Sequence, residues 1–184
     1  GKYVLDKACK QLKLWQTSGF PQLRVAVNLS AEQISYEGLA GQVAEVMNSN
    51  NITPIHLELE IAEGSIIQNM TTRMVLLQAL QKLGVQLVLD NFSGNDLALK
   101  NLNQFPFNVL KLDRTLIQEN ATGVISNIIA LAKILGLTIA ATGVETPEQL
   151  KFLTEKHCDL MQGYLYSKPL PAAEFTQHLA STNQ

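Results

Sequence analysis

Short apolar runs rich in β-branched residues recur at near-regular intervals along the chain, at residues 23–29, 56–61, 85–89, 109–112, 137–141 and 160–165. Between them apolar residues return with helical spacing. Val4, Leu5, Ala8, Leu12 and Trp15 fall on one helical face before Gly19 and Phe20-Pro21 interrupt the chain, as expected for a helix followed by a turn. Ser30 and Gln33 have capping-box spacing and predict a helix running toward Asn50. Residues 71–83 and 125–135 are amphipathic and stop at Gly84 and Gly136, which is where a helix C-terminus favours glycine. Thr146-Pro147-Glu148 opens another helix with an N-cap, a first-turn proline and an acid at the positive end of the dipole. Strand–helix alternation of this kind predicts an α/β fold with a parallel sheet.

Almost every run ends on, or encloses, a polar side chain. They are Asn28, Glu60 with Glu63, Asp90 with Asn91, Lys111, Thr142 and Gln162. In (β/α) barrels the chemistry collects at the C-terminal ends of several strands, so this layout predicts a TIM-type barrel. A closed barrel has eight strands and about 250 residues, whereas six strands and a leading helix are found here. The expectation is a partial barrel spanning 1–184 as one domain, with N-terminal strands of roughly 60 residues preceding Gly1. A partner strand at the open edge is the alternative.

The 184 residues are 46% hydrophobic and 16% charged, with net charge −2, values of a soluble globular domain. The 14 Lys and Arg form no run, which argues against DNA or a membrane surface as a partner and leaves room for a small anion held by local groups. Cys9 and Cys158 lack paired-ligand spacing and read as two buried thiols in a reducing cytoplasm. A longer protein carrying this chain could be membrane-tethered, but no stretch here has the length of a membrane span and no cleavable leader opens the chain.

Each candidate residue also has a plain structural reading. Asn28 and Asp90 could be cap or turn residues. Lys111 lies between Leu110 and Leu112 and so faces away from them, toward the lumen, where a buried ammonium needs an acid or a phosphate. Glu58 alternates with Glu60 and is open between a lumen salt bridge and no role. His56, His157 and His178 read as surface or capping residues, and Tyr164 and Tyr166 as packing or stacking groups.

The segments RVAVNLS (24–30), LELEIAE (57–63), LDNF (89–92), LKLDR (110–114), GVET (143–146) and QGYLYSKPLP (162–171), in this order, resemble the EAL family of bacterial cyclic di-guanylate (cyclic di-GMP) phosphodiesterases and sensors. The resemblance implies two divalent ions, Mg²⁺ or Mn²⁺, clamping a phosphate of the ligand. By the same resemblance Asn28, Glu60 and Asp90 match metal ligands, Lys111 matches the lysine beside the attacking water, and Glu63 matches the glutamate bracing the neighbouring loop. Gln162, Gly163, Tyr164 and Pro171 match the segment lining the ligand.

Two departures follow. Asn91 stands where active members carry the second aspartate of a pair, and Thr142 where they carry the first glutamate of Glu-Gly-Val-Glu. A threonine hydroxyl is no useful base near neutral pH. The loop from Asp90 to Asn95 also displaces two glycines, and Ser93 is expected to be strained if its position needs positive φ. The resemblance thus implies a degenerate domain, a cyclic di-GMP receptor or regulatory module joined to other domains or to a second copy of itself. A metal-dependent phosphodiesterase and a pure interaction module are the alternatives.

Overall fold

The computed structural model describes residues 1–67, 70–94 and 102–182. Its elements are α1 Lys2–Thr17, β1 Val25–Leu29, α2 Leu39–Ser49, β2 Leu57–Ala62, α3 Glu63–Ile67, α4 Met70–Lys82, β3 Gln86–Phe92, β4 Val109–Leu112, α5 Arg114–Gln118, α6 Thr122–Ile134, β5 Thr138–Thr142, α7 Pro147–Glu155, β6 Leu160–Gln162 and α8 Ala172–Thr182. All neighbouring strands are parallel, in the order β1-β2-β3-β4-β5-β6. Each pairs only with its neighbours in sequence, so the sheet is an open half-barrel of TIM type.

Strand alternation divides the sheet into two unlike faces. Leu57, Leu59, Ile61, Leu87, Leu110, Leu112 and Ile139 are fully buried under the helices in the main core, each such side chain contributing about 1.5–3 kcal/mol. The lumen face carries a separate small apolar floor of Val88, Val109 and Ala140. On the edge strands this face is open: Ala26, Asn28, Leu160 and Gln162 are exposed.

Helix ends follow their local chemistry. Gly84 and Gly136 adopt φ +85 and +69 and release the chain from α4 and α6 into the next strands. Thr146 and Gln149 form a reciprocal capping box at the start of α7. Ser30 and Gln33 also form one, Ser30 N–H donating to Gln33 Oε1 (3.0 Å) and Gln33 N–H to Ser30 Oγ (3.3 Å). That box opens only a 3₁₀ turn, Gln33–Ser35, because Tyr36 swings to φ −87, ψ 115, and the α-helix begins at Leu39. In α1 the buried face is Leu5, Cys9 and Leu12; Val4, expected on it, is 57% exposed. Trp15 does pack, its Nε1–H donating to Thr176 Oγ1 (2.8 Å) and its ring edge meeting Phe175 at 5.2 Å, which ties α1 to α8. The last strand stops at Gln162, short of the expected residue 165, where Tyr166 N–H turns back to Gly163 O (3.1 Å).

Among the described residues, one breaks the pattern of satisfied burial. Arg73 shares the buried face of α4 with Leu77 and Leu80, is 7% exposed, and its Nη1 has no hydrogen-bond partner. Among the described residues no helix is long and apolar enough to cross a membrane.

Candidate functional site

Parallel register sets the expected residues side by side at the C-terminal ends of the strands. Asn28 pairs with Glu60, Ala62 with Asp90, and Thr142 with Gln162. Lys111 is opposite Ala140, a lumen residue, so its side chain enters the lumen as the flanking leucines require. There Lys111 Nζ lies 2.7 Å from Glu60 Oε1 and 3.5 Å from Asp90 Oδ1. The three side chains are 13, 10 and 15% exposed, so the attraction acts in a medium well below the dielectric of water. Glu60 and Lys111 line a lumen cavity of about 160 Å³, shared with Glu58, Thr142 and Gln162. Glu58, whose side chain is 17% exposed, reaches Nη1 of the half-exposed Arg24 at 3.4 Å.

Asp90, two residues after the lumen-facing Val88, faces the lumen by strand alternation, and it is Phe92 that owes its direction to a backbone irregularity. The β3–β4 pairing slips by one residue between Leu89 and Phe92, and Asn91 at the slip adopts φ +55, a conformation asparagine tolerates better than most residues. Without this bulge, residues 90 and 92 would share a face. With it, Asp90 faces the lumen while Phe92 is 0% exposed in the core, the re-aiming that bulges produce. Asn91 itself is exposed. The expectation of strain at Ser93 is corrected here, because the left-handed residues are Asn91 and Gly94 (φ +79). Ser93 instead donates its N–H (3.1 Å) and its hydroxyl (2.9 Å) to Glu63 Oε2. Glu63, 7% exposed, thus bonds the start of the loop after β3. Asn95 lies outside the described residues.

Thr142 Oγ1 donates to Leu112 O at 2.9 Å, which commits its proton to the β4 backbone. Just beyond, the chain runs through Gly143 (φ +79) to Glu145, which pairs with Arg114 Nη2 at 2.5 Å. Arg114 was not singled out from the sequence. Its stem covers Gly143, where an added Cβ would come 2.4 Å from Arg114 Cγ, and its guanidinium lies 6.0 Å from the Tyr164 ring centre. Reversing the Gln118 amide lets its oxygen accept from Arg114 Nε (2.9 Å) and Nη2 (3.1 Å). The loops after β4, β5 and β6 therefore meet at one arginine.

The 162–171 segment divides by role. Gln162 lines the lumen cavity. Tyr164 and Tyr166 are half exposed on an adjoining cleft that Gln162 also lines and that holds Ser167 and Lys168, and Lys168 Nζ is 6.0 Å from the Tyr164 ring centre. Gly163 is a packing glycine: a Cβ there would lie 2.0 Å from Val144 O and 2.4 Å from Val144 N. Val144 N–H donates to Gln162 O and Leu165 N–H to Val144 O, each at 3.1 Å. Pro171 is exposed, and its carbonyl accepts Phe175 N–H (2.9 Å) at the start of α8.

Residues outside this rim have ordinary roles. His56 Nδ1 lies 3.0 Å from Leu23 O, His157 closes α7 at φ +56, and the His178 ring stands 6.4 Å from that of Phe175. Cys9 and Cys158 are free and buried, and desolvation pushes both thiols up to about 11. Among the described residues no three His, Cys, Asp or Glu side chains are grouped to hold a metal. The oxygen donors of the lumen include the Glu58, Glu60 and Asp90 carboxylates and, in register with Glu60, the Asn28 amide.

Comparison with known proteins agrees with this architecture. The family model described as the EAL domain matches residues 1–169. The bifunctional diguanylate cyclase/cyclic di-GMP phosphodiesterase MucR of Pseudomonas aeruginosa is 36% identical over 185 residues, covering 98% of this chain and 27% of that protein. The cyclic di-GMP phosphodiesterase NbdA of the same organism is 37% identical over 182 residues, covering 96% and 23%. The chain thus spans about a quarter of the length of these relatives. Among solved structures, the PaMucR phosphodiesterase in complex with c-di-GMP superposes with a TM-score of 0.91 at 37% identity, covering 95% of this chain and 73% of that one.

Proposed function

Because the chain belongs to the EAL domain family, whose members here include proteins named as cyclic di-GMP phosphodiesterases, we propose that it is a degenerate member that binds cyclic di-GMP without hydrolysing it. Thr142 carries the reading. Where the family motif has a glutamate, this chain has a hydroxyl already donating to Leu112 O, and neither its basicity nor its bonding suits it to take a proton from water. Hydrolysis of a phosphodiester demands a very large lowering of its barrier; binding does not.

The roles follow from charge and position. Glu63 holds the loop after β3 through Ser93. Lys111 offers a phosphate the cation that it now shares between Glu60 and Asp90. Gln162 and Tyr164 contact the ligand, while Gly163 and Pro171 shape the segment that carries them. Asn28, Glu60 and Asp90 would hold a metal. Their all-oxygen chemistry fits a hard cation such as Mg²⁺ or Mn²⁺, which when bound would polarise a phosphoryl oxygen. With Asn91 neutral and exposed, the set suffices for one ion, held weakly. Domain 1–184 is then the ligand-responsive part of a larger cytoplasmic or membrane-tethered signalling protein, with its other domains or a second copy as partners.

Calorimetry with cyclic di-GMP in EDTA, and chromatography of the nucleotide after incubation with Mn²⁺, test this together. Binding without linear product is expected. A second reading, a residually active phosphodiesterase, is favoured by the close approach of Lys111 to both Glu60 and Asp90, and Mn²⁺-dependent turnover would establish it. Absence of binding at millimolar nucleotide would leave an interaction module.

A further inference from the structure

A groove on the helical layer lies away from the lumen. It runs between the Gln33–Ser35 turn with the start of α2 on one side and α4 on the other, and its volume is about 480 Å³. Buried Ile34 and partly buried Leu76 and Ala79 give it an apolar floor. Tyr36 and Val75 stand at its edges, 53% and 67% exposed. A contiguous apolar surface of this kind, with a ring at its edge, is the usual mark of a contact site.

The opening is created by the chain itself. The capping box at Ser30 starts a helical turn that Tyr36 ends at ψ 115, and helix resumes only at Leu39 with Gly38 as N-cap. Gly38 has φ −79 and ψ −1, which any residue adopts, so its backbone does not call for glycine. The Tyr36 ring does: a Cβ at 38 would lie 2.5, 2.6 and 2.6 Å from Cε1, Cζ and Oη of that ring. The glycine thus lets the ring lie against the start of α2.

Charge around the groove has one sign. No lysine or arginine occurs between Arg24 and Arg73, and Arg73 is buried on another face of α4. Glu37 lines the groove and Glu32 precedes it in the same connection; both are exposed. Among the described residues neither forms an ion pair.

We propose that this groove receives an amphipathic helix of a partner protein, apolar at i, i+3 or i+4, and i+7, and flanked by Lys or Arg. Both walls are helical, and β3, the strand against which α4 packs, is paired on both sides. An extended peptide would therefore find no strand edge to bond, whereas a helix satisfies its own backbone and needs only an apolar slot. Tyr36 and Val75 are the anchors, and Glu37 meets the basic flank. The inference goes beyond nucleotide binding and does not rest on it.

The probe is a fluorescein-labelled peptide of about 18 residues, long enough to be helical, with Leu at that spacing and Lys elsewhere. A second peptide replaces every Lys by Glu. Anisotropy is read with the full-length protein in the absence of nucleotide. The Lys peptide should saturate with Kd below about 1 mM, and the Glu peptide should bind about tenfold more weakly. Tyr36→Ala and Val75→Ser should each weaken the Lys peptide by about fivefold or more, the effect of an interface anchor. Glu37→Lys should narrow the ratio between the two peptides by about fivefold. No saturation, equal binding of the two peptides, or variants that bind like wild type would overturn the inference. A benzophenone at the centre of the Lys peptide covers failure of a variant to fold, because it is used on wild type: adducts should fall within residues 34–40 and 72–79, and adducts elsewhere overturn the proposal. Loss of cyclic di-GMP binding would sink the proposed function and leave this groove untouched, and the reverse holds as well.

Discussion

Gly163→Ala separates two reasons for a glycine at the rim of the barrel. If Gly163 serves to let a ligand approach the backbone, alanine should lower affinity and leave folding intact. The structure gives it a different task. A Cβ at 163 would lie 2.0, 2.4 and 2.6 Å from three backbone atoms of Val144, and backbone cannot step aside as a side chain can. The loops after β5 and β6 must separate, straining or breaking the Val144–Gln162 and Leu165–Val144 hydrogen bonds. Two such bonds are worth about 0.5–1.5 kcal/mol each, and forced overpacking adds about 1–3 kcal/mol. Reduced entropy of the unfolded chain returns about 0.4–1 kcal/mol. The expected loss is about 1–5.5 kcal/mol, measured by equilibrium urea unfolding followed by circular dichroism. Gly143→Ala is the control: its Cβ meets the movable Arg114 side chain, and the cost is mainly that of a left-handed residue, about 1–2 kcal/mol. A Gly163→Ala protein within about 0.5 kcal/mol of wild type, inside the usual range of harmless substitutions, would refute the packing account.

Three further outcomes are expected. Arg73→Met keeps the apolar stem and removes a buried donor without a partner, so it should stabilise by about 1–3 kcal/mol, seen by calorimetry as a rise of about 2–4 °C per kcal/mol; a fall would mean the guanidinium has a partner in solution. Asn91→Asp with Thr142→Glu should restore Mn²⁺-dependent hydrolysis of cyclic di-GMP while either change alone does not, since residues acting as one unit are non-additive; a fully active single variant, read by product chromatography, would show that one role is misassigned. Because burial raises Cys9 and Cys158 from the ordinary value near 9 to about 11, the folded state holds thiol protons more tightly than the unfolded chain. Stability is complete below pH 9 and should fall as pH rises from 9 toward 11, a loss that Cys→Ser at both positions should reduce in urea titrations at each pH.

What could be read without coordinates was what depends on short-range periodicity. Leu110-Lys111-Leu112 and Leu57-Glu58-Leu59-Glu60 assign their own faces, and Gly84, Gly136 and Thr146 mark helix ends through local chemistry. The EAL motifs placed Asn28, Glu60, Asp90, Lys111, Thr142 and Gln162 on one rim, and parallel register keeps them there. The remainder depends on contacts between distant segments. Ser93 belongs to Glu63, thirty positions earlier, so its backbone could not be judged from the loop alone. Gly163 faces Val144 across two strands, a contact with no signature in its neighbours. Tyr36 breaks the expected helix after Ser30 despite a sound capping box. The Asp90–Asn91 bulge appears only when β4 is laid beside β3, and the partnerless Arg73 only when α4 is packed.

That bulge bears on how the lineage could change. Aspartate and asparagine are nearly the same size, both accept the left-handed backbone found at 91, and a single base change interconverts their codons. On the reading proposed above, charge at 91 can therefore be lost or regained with little disturbance to the fold. Position 142 differs. No single base change turns a threonine codon into one for glutamate, and the hydroxyl lost in such a change leaves Leu112 O to find another donor. The route back to an acidic rim is asymmetric, easy at its first step and guarded at its second, so neutral drift at 91 would be invisible to selection for as long as Thr142 remains.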